Sequence, residues 1–287
     1  FFLYLLMAEI AFIIIFPLLT KLSAALMSFE DIFDRTVTFI PKSPTLENFE
    51  LVLKESNYGI ALYHTVLVSL LAASLQTMVC SLTGYGLAKL RGKLSNLVFV
   101  IVILTVLVPP QVILVPMYLK FRFMNPLGLV ELIQGKEGVL NTLWPIIILS
   151  ITGFGFKNGL FILVMRQFYK GVPEEIEEAA AIDGYGVVGT YFRIVLPMAV
   201  PMMITIFMFA FSWQWTDTFY SGIFFTQYKV LANTIFTMPS AMSGAGAVGM
   251  NFNSTMLLHT GVLLAIAPLI LIYCVAQRRI IAGIERS

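Results

Sequence analysis

Long stretches without a charged residue limit the folds that are open to this chain. They lie between Glu55 and Lys89 (33 residues), Lys93 and Lys120 (26), Glu137 and Lys157 (19), Arg193 and Asp217 (23), and Lys229 and Arg278 (48). A transmembrane helix needs about 20 mostly apolar residues, so these stretches have a suitable length. Only helices and closed barrels satisfy their backbone polar groups in hydrocarbon. Because the apolar runs are continuous rather than alternating, we expect helices.

The composition excludes several classes of protein. Of the 287 residues, 59% are hydrophobic and 12% are charged, whereas soluble domains have about 25% charged residues. A soluble globular enzyme is therefore not expected, and a disordered or fibrous protein is excluded. The net charge of +2 and the lack of basic clusters give no indication of nucleic-acid binding. We expect an all-α membrane protein in a lipid bilayer, with a single transmembrane domain over residues 1–287.

Six transmembrane helices are predicted from the apolar runs. Their expected bounds are 2–25, 62–88, 96–118, 142–167, 198–224 and 255–276. Lys and Arg are slightly more numerous in the segments after the second, fourth and sixth spans, nine against seven, and they are denser there because the segments 88–96 and 277–287 are short. Cytoplasmic loops carry an excess of these residues. The basic residues in question are Lys89, Arg91, Lys93, Arg166, Lys170, Arg193, Arg278, Arg279 and Arg286. The sequence thus predicts a multi-pass protein of the cell membrane with a cytoplasmic C-terminus. No cleaved signal peptide is expected, because no basic n-region precedes the first apolar run.

The segment 171–197, between the fourth and fifth spans, is unusually charged for this chain. Gly171 and Pro173 should end the fourth helix, and Pro suits the start of a new one. Four acidic residues would then oppose the positive end of the helix dipole: Glu174, Glu175, Glu177 and Glu178. Gly184 tolerates a positive φ and should close this helix. We expect a second short helix over about 187–195, broken at Pro197. These features fit either a rigid docking element or a solvated charged loop.

A sequence signature within this segment resembles a known family. Glu178, Ala179 and Ala180 are followed after three residues by Gly184, and nine residues later by the run from Ile194 to Pro197. This matches the E-A-A-x3-G-x9-I-x-L-P signature of the permeases of ABC importers. Asp183, the Pro-rich run 108–116 and the segment 277–283 resemble the carbohydrate branch, nearest to maltose-permease G-type subunits. Two departures are His64-Thr65, where Asn-Thr is common, and Trp215-Thr216-Asp217, where Trp-Asn-Asp/Glu is common.

The resemblance implies a type I ABC importer permease fold and a mechanism. A second permease subunit, in a heterodimer, two ABC ATPase subunits and an extracytoplasmic substrate-binding protein would complete the transporter. The signature helix would be a cytoplasmic coupling helix that docks on an ATPase subunit and transmits its closure to the spans. The coupling residues implied are Glu178, Ala179, Ala180, Asp183, Gly184, Ile194, Leu196 and Pro197. No phosphate-binding G-x-x-x-x-G-K-[ST] pattern is present, so ATP and Mg²⁺ should be bound by the partner subunits.

Polar residues within the spans are candidates for the substrate path, because intramembrane polar groups usually face a cavity. They are Lys157, Asn158, Gln214, Trp215 and Asp217. An interfacial position for each, or an ion pair between Lys157 and Asp217, is the alternative. No metal site is expected, since His64 and His259 lack the spacing of metal ligands. No catalytic residue is expected either. The sequence leaves open a permease for a non-sugar solute, and a secondary transporter, although paired broken helices are not evident.

Overall fold

The computed structural model describes residues 2–90, 92–125, 130–131, 138–244 and 253–284. The described part is helical and contains no strand, which confirms the predicted all-α class. Residue contacts divide the chain into two units, one of residues 1–65 with 229–273 and one of 66–228 with 274–287. Whether residues 1–287 act as one domain stays a prediction. Arg91 and Arg286, two of the basic residues that predict the orientation in the membrane, lie outside the described residues.

Fourteen helices occupy the described residues. They are α1 (Phe2–Leu26), α2 (Phe29–Phe33), α3 (Glu47–Glu55), α4 (Tyr58–Lys89), α5 (Lys93–Leu107), α6 (Pro110–Arg122), α7 (Trp144–Ile151), α8 (Asn158–Lys170), α9 (Glu174–Ile182), α10 (Val187–Thr190), α11 (Leu196–Trp215), α12 (Phe219–Phe224), α13 (Leu231–Gly244) and α14 (Ser254–Ile284). A π-helical turn, Tyr191–Val195, joins α10 to α11. The charged segment 171–197 lies in the second unit.

Four described helices are long and apolar enough to cross a membrane. They are Phe2–Leu26, Tyr58–Lys89, Val187–Trp215 and Ser254–Val275, and the bent pair α5 and α6 would make a fifth. These helices cover the predicted first, second, third, fifth and sixth spans. The membrane-spanning character of the chain is therefore confirmed, with four or five apolar spans.

The predicted third span, 96–118, is bent rather than continuous. α5 and α6 meet at an angle of 101°. Val108 and Pro109, at the junction, both have extended backbone, with ψ of 117° and 132°. The cause is local, because each of the two precedes a proline, and a proline ring disfavours helical ψ in the residue before it.

The predicted fourth span, 142–167, is two helices. α7 has 8 residues and α8 has 13, so each is shorter than the roughly 20 residues that cross a bilayer. Between them the chain turns through Gly153 and Lys157, with φ of +80° and +66°. The expectation of one uninterrupted helix was wrong, because apolar composition does not reveal a left-handed turn.

The predicted fifth span, 198–224, differs at both ends. The helix does not break at Pro197 but runs from Val187 to Trp215. At the turn before Pro197 the Leu196 N–H bonds to the carbonyl of Tyr191, five residues back. Such a π-turn suits a proline, whose ring would clash with the carbonyl four residues earlier in a regular helix. At the other end, α11 stops at Trp215 and α12 starts anew at Phe219.

The first unit holds a small core of its own. Val52 of α3, Met238 and Met242 of α13, and Leu257 of α14 are buried together. The Thr65 hydroxyl oxygen accepts a hydrogen bond of 2.8 Å from the Leu231 N–H, at the start of α13. This bond joins two parts of the unit that are far apart in sequence.

Candidate functional site

The charged segment forms the helix that the sequence predicts. α8 ends at Lys170, Pro173 has extended backbone with ψ of 139°, and α9 begins at Glu174. Three acidic residues lie in the first turn of α9, where the unpaired N–H groups favour negative charge: Glu174, Glu175 and Glu177.

The end of α9 is a Schellman motif. The Gly184 N–H bonds to the carbonyl of Ala181 at 3.1 Å, and the Tyr185 N–H bonds to that of Ala180 at 2.9 Å. Gly184 has a φ of +86°, a conformation that costs a residue with a Cβ. The predicted closure at Gly184 is confirmed. Within this chain the requirement for glycine is conformational, because a Cβ here would meet no described atom within 4 Å.

Burial divides the signature residues into two sets. Glu178, Ala179, Asp183 and Gly184 are exposed, together with Ile182, which is 86% exposed. Ala180 is buried. The exposed set forms a surface of α9 and its C-terminal turn that is open to another molecule, whereas Ala180 packs inside the unit. Ile194 and Leu196 are half-buried and Pro197 is exposed on the helix that follows.

An ion pair joins α9 to the end of α4. The Lys89 Nζ lies 3.1 Å from the Glu177 carboxylate, and both side chains are mostly buried. The same Nζ donates a hydrogen bond of 3.2 Å to the carbonyl of Val172, just before α9. Lys89 therefore binds both the start of α9 and the turn that leads into it.

A buried hydroxyl cluster makes a second connection. The Ser81 hydroxyl of α4 lies 2.6 Å from that of Tyr169, in α8, and 2.9 Å from that of Tyr191, in the π-turn. The Tyr85 ring packs against both tyrosine rings, with centroid distances of 5.4 and 4.9 Å. One face of α4 thus contacts the chain on both sides of α9.

α4 and α8 also approach closely. A Cβ on Gly84 would lie 2.6 Å from the Met165 Cβ, so only glycine fits there. The Arg166 guanidinium lies over the Phe99 ring at 3.8 Å, and its Nε donates to the carbonyl of Leu87 at 3.2 Å. These contacts fix the last turns of α8, from which the charged segment departs.

Two of the five substrate-path candidates border one cavity. Lys157 and Asn158 line a cavity of about 340 Å³ beside the break between α7 and α8. The Lys157 Nζ lies 5.4 Å from the ring centroid of Phe156 and 5.6 Å from that of Trp213. Asn158 is fully buried, and its Oδ1 has no hydrogen-bond partner among the described residues.

The other three candidates do not line this cavity. Gln214 and Trp215 are buried in α11. The Asp217 carboxylate caps α12, because it accepts hydrogen bonds from the backbone N–H groups of Phe219, Tyr220 and Ser221 at 3.0, 3.1 and 2.8 Å. Among the described ion pairs there is none between Lys157 and Asp217, so that alternative was wrong.

Several residues that build the site were not predicted from the sequence to be site residues. Ser81, Lys89, Tyr169 and Tyr191 lie far apart in sequence, and each has an ordinary interpretation alone. A weak signal was available for Lys89, because it ends the second apolar run and Glu177 is the acidic residue next to the signature. Only the fold brings the two together.

The chain belongs to the family of binding-protein-dependent transport system inner membrane components, which matches residues 80–286. The family expected from the signature is thereby confirmed, and the chain is a membrane component of such a transport system rather than a catalytic subunit.

Two curated relatives and one solved structure are similar over most of the chain. The arabinooligosaccharides transport system permease protein AraQ of Halalkalibacterium halodurans is 27% identical and covers 96% of this chain and 91% of its own. The melibiose/raffinose/stachyose import permease protein MelC of Bacillus subtilis is 27% identical, and the match covers 85% of this chain and 81% of MelC. A chain from a bacterial ABC transporter involved in the import of the acidic polysaccharide alginate has a TM-score of 0.73 at 18% identity. The match covers 96% of this chain and 94% of that chain. The last similarity concerns the fold.

Proposed function

We propose that this chain is a permease subunit of an ATP-driven ABC importer for a carbohydrate, and that α9 is its coupling helix. The single observation that carries the coupling role is the exposed surface of Glu178, Ala179, Asp183 and Gly184 on a helix whose other side is fixed to the unit. A rigid protruding helix can transmit a displacement, whereas a flexible loop would absorb it.

The proposal includes the partners that such a mechanism needs. Two ABC ATPase subunits bind ATP and Mg²⁺, and one of them receives α9. A second permease subunit completes the pathway, and an extracytoplasmic binding protein delivers the solute. In this arrangement the chain crosses the membrane six times in a type I importer fold, and α9 and the C-terminus lie in the cytoplasm. The broken pair α7 and α8 then constitutes the fourth crossing.

Carbohydrate is the proposed solute for two reasons. AraQ and MelC are named for oligosaccharide transport, and both are similar to this chain over most of its length. The cavity beside Asn158 also has suitable chemistry, since Phe156 and Tyr220 contribute rings and the buried Asn158 Oδ1 can accept a hydrogen bond from a hydroxyl. A sugar presents hydroxyl groups and apolar C–H faces.

Photo-crosslinking tests the coupling role. A benzoylphenylalanine at Ala179 or Ile182 should crosslink to an ATPase subunit in the assembled transporter. The matched control is Phe33, which is 68% exposed and follows the first predicted span, so the six-span topology puts it on the extracytoplasmic side. Crosslinks from Phe33 but not from α9, or from neither position on α9, would contradict the docking proposal.

Solute binding and uptake test the carbohydrate proposal. The cognate binding protein is titrated calorimetrically with raffinose, lactose, arabinotriose and maltotriose, and with glycine betaine and phosphate as non-sugar controls. We expect saturable binding of at least one saccharide, and MgATP-dependent uptake of it into proteoliposomes. Binding of a control alone would support the second candidate, a permease for a non-sugar solute. Uptake driven by an ion gradient without ATP would support a secondary transporter.

A variant of the cavity tests the path. Asn158→Ala should raise the KM for uptake of the bound saccharide, while Asn96→Ala, at an exposed position of α5 outside the cavity lining, serves as the control. An unchanged KM in Asn158→Ala would remove this residue from the path.

A further inference from the structure

We propose that Lys89 and Glu177 form a mechanical link that makes α4 and α9 move as one body. The inference rests on the proposed function, because it explains how motion of the coupling helix would reach a membrane span. Lys89 and Glu177 are positioning residues, since neither is placed at the exposed docking surface.

The electrostatics of the two helix ends favour the link. Lys89 lies in the last turn of α4, where the unpaired carbonyl groups favour a cation, and Glu177 lies in the first turn of α9. Each charge therefore stabilises its own helix end as well as its partner. The side chains are 17% and 23% exposed, so water screens the attraction less than it does for a surface pair.

The geometry makes the link stiff. The Lys89 Nζ contacts two points of the segment, the Glu177 carboxylate and the carbonyl of Val172. The Ser81 hydroxyl adds contacts with Tyr169 and Tyr191, on either side of α9 in sequence. A displacement of α9 and the turn before it relative to α4 must break both Lys89 contacts, whereas a displacement of all three together breaks neither.

The link also explains why the residue next to the signature is acidic. Glu178 is exposed and available to a partner, whereas Glu177 points toward α4. Two adjacent carboxylates thus have different targets, one outside the chain and one within it. The two side chains differ in direction because neighbouring residues of a helix lie about 100° apart around its axis.

Spin-label distances in the assembled, reconstituted transporter test the link. Labels are placed at Ala181→Cys in α9 and Leu90→Cys at the end of α4, both exposed, in a background without the two native cysteines. In the parent, the distance distribution should be narrow and should be the same without nucleotide and with Mg-AMP-PNP. In Lys89→Glu and Glu177→Lys, its width should at least double. The exchange Lys89→Glu with Glu177→Lys restores the ion pair but not the hydrogen bond to the Val172 carbonyl, so its distribution should be narrower than that of either single reversal.

The outcomes separate the link from the proposed function. Lys93→Glu is the matched control, because this substitution reverses the charge of an exposed lysine near Lys89 that forms no described ion pair with α9. It should leave the distribution narrow. A parent distance that changes with nucleotide, a narrow distribution in both single reversals, or an exchange whose distribution is no narrower than that of the single reversals would overturn the link. If the link holds while Ala179 crosslinks to no ATPase, the docking proposal fails and the link remains.

Discussion

The backbone N–H of Tyr185 donates a hydrogen bond to the carbonyl oxygen of Ala180, 2.9 Å away, across the left-handed Gly184. This bond ends α9 and turns the chain back toward the unit. The exposed surface proposed for docking lies directly before and at this turn, so the conformation of one glycine determines its shape.

Gly184→Ala should therefore impair uptake without preventing membrane assembly. The left-handed conformation costs a residue with a Cβ about 1–2 kcal/mol, and there is no steric clash to add to it. Gly184→Asn should retain more activity, because Asn tolerates this conformation. The measurement is the uptake rate normalised to assembled transporter. Gly186→Ala is the control, since Gly186 has a φ of −76° and equally open surroundings. Equal uptake in Gly184→Ala and Gly186→Ala would contradict the strain argument.

Gly84→Ala should destabilise the contact between α4 and α8. A Cβ at this position would lie 2.6 Å from the Met165 Cβ and 3.0 Å from the Arg166 backbone nitrogen. Overpacking of this kind costs typically about 1–3 kcal/mol. We expect a lower thermal unfolding temperature of the detergent-solubilised transporter. Gly86→Ala provides the comparison, because the nearest atom to its Cβ would be 3.9 Å away. A Gly84→Ala transporter as stable as Gly86→Ala would show that the helices separate without cost.

Asp217→Ala should lower stability more than it changes the choice of solute. Both carboxylate oxygens accept backbone hydrogen bonds at the start of α12, and loss of such a cap costs about 0.5–2 kcal/mol. Asp217→Asn keeps one acceptor oxygen and should be intermediate. Thermal unfolding and a saccharide uptake profile are measured on the same preparations. A stable Asp217→Ala transporter with an altered solute profile would return Asp217 to the substrate path.

The hydroxyl cluster should respond non-additively to substitution. Ser81→Ala leaves the hydroxyls of Tyr169 and Tyr191 buried without this partner, at a cost of about 1–3 kcal/mol. Adding Tyr169→Phe and Tyr191→Phe removes the unpaired groups and should recover part of the loss. Thermal unfolding of the single, double and triple variants forms the cycle. Strictly additive losses would indicate that the three hydroxyls do not act as a cluster.

The sequence predicted the features that depend on local chemistry. Charge-free runs located the apolar helices, and the run Gly171 to Gly184 located both ends of α9, because proline restricts the backbone and glycine permits a positive φ wherever they occur. The E-A-A-type signature identified the family, since many residues at fixed spacing rarely coincide by chance. Prediction was poorest at the breaks. The left-handed Lys157 and the π-turn at Tyr191 leave no mark on composition.

The order of residues was enough to predict a helical membrane protein of this transporter family and the start and end of its charged segment. The residues that hold that segment could be identified only from the packing of the helices, because Lys89 contacts Glu177 across 88 positions and Ser81 contacts Tyr191 across 110. The structure also shows that the Asp217 carboxylate caps the start of α12 and that Asn158 lines a cavity. Local restraints follow from residue type, whereas contacts between distant residues depend on how the helices pack, which is why the first could be predicted and the second could not.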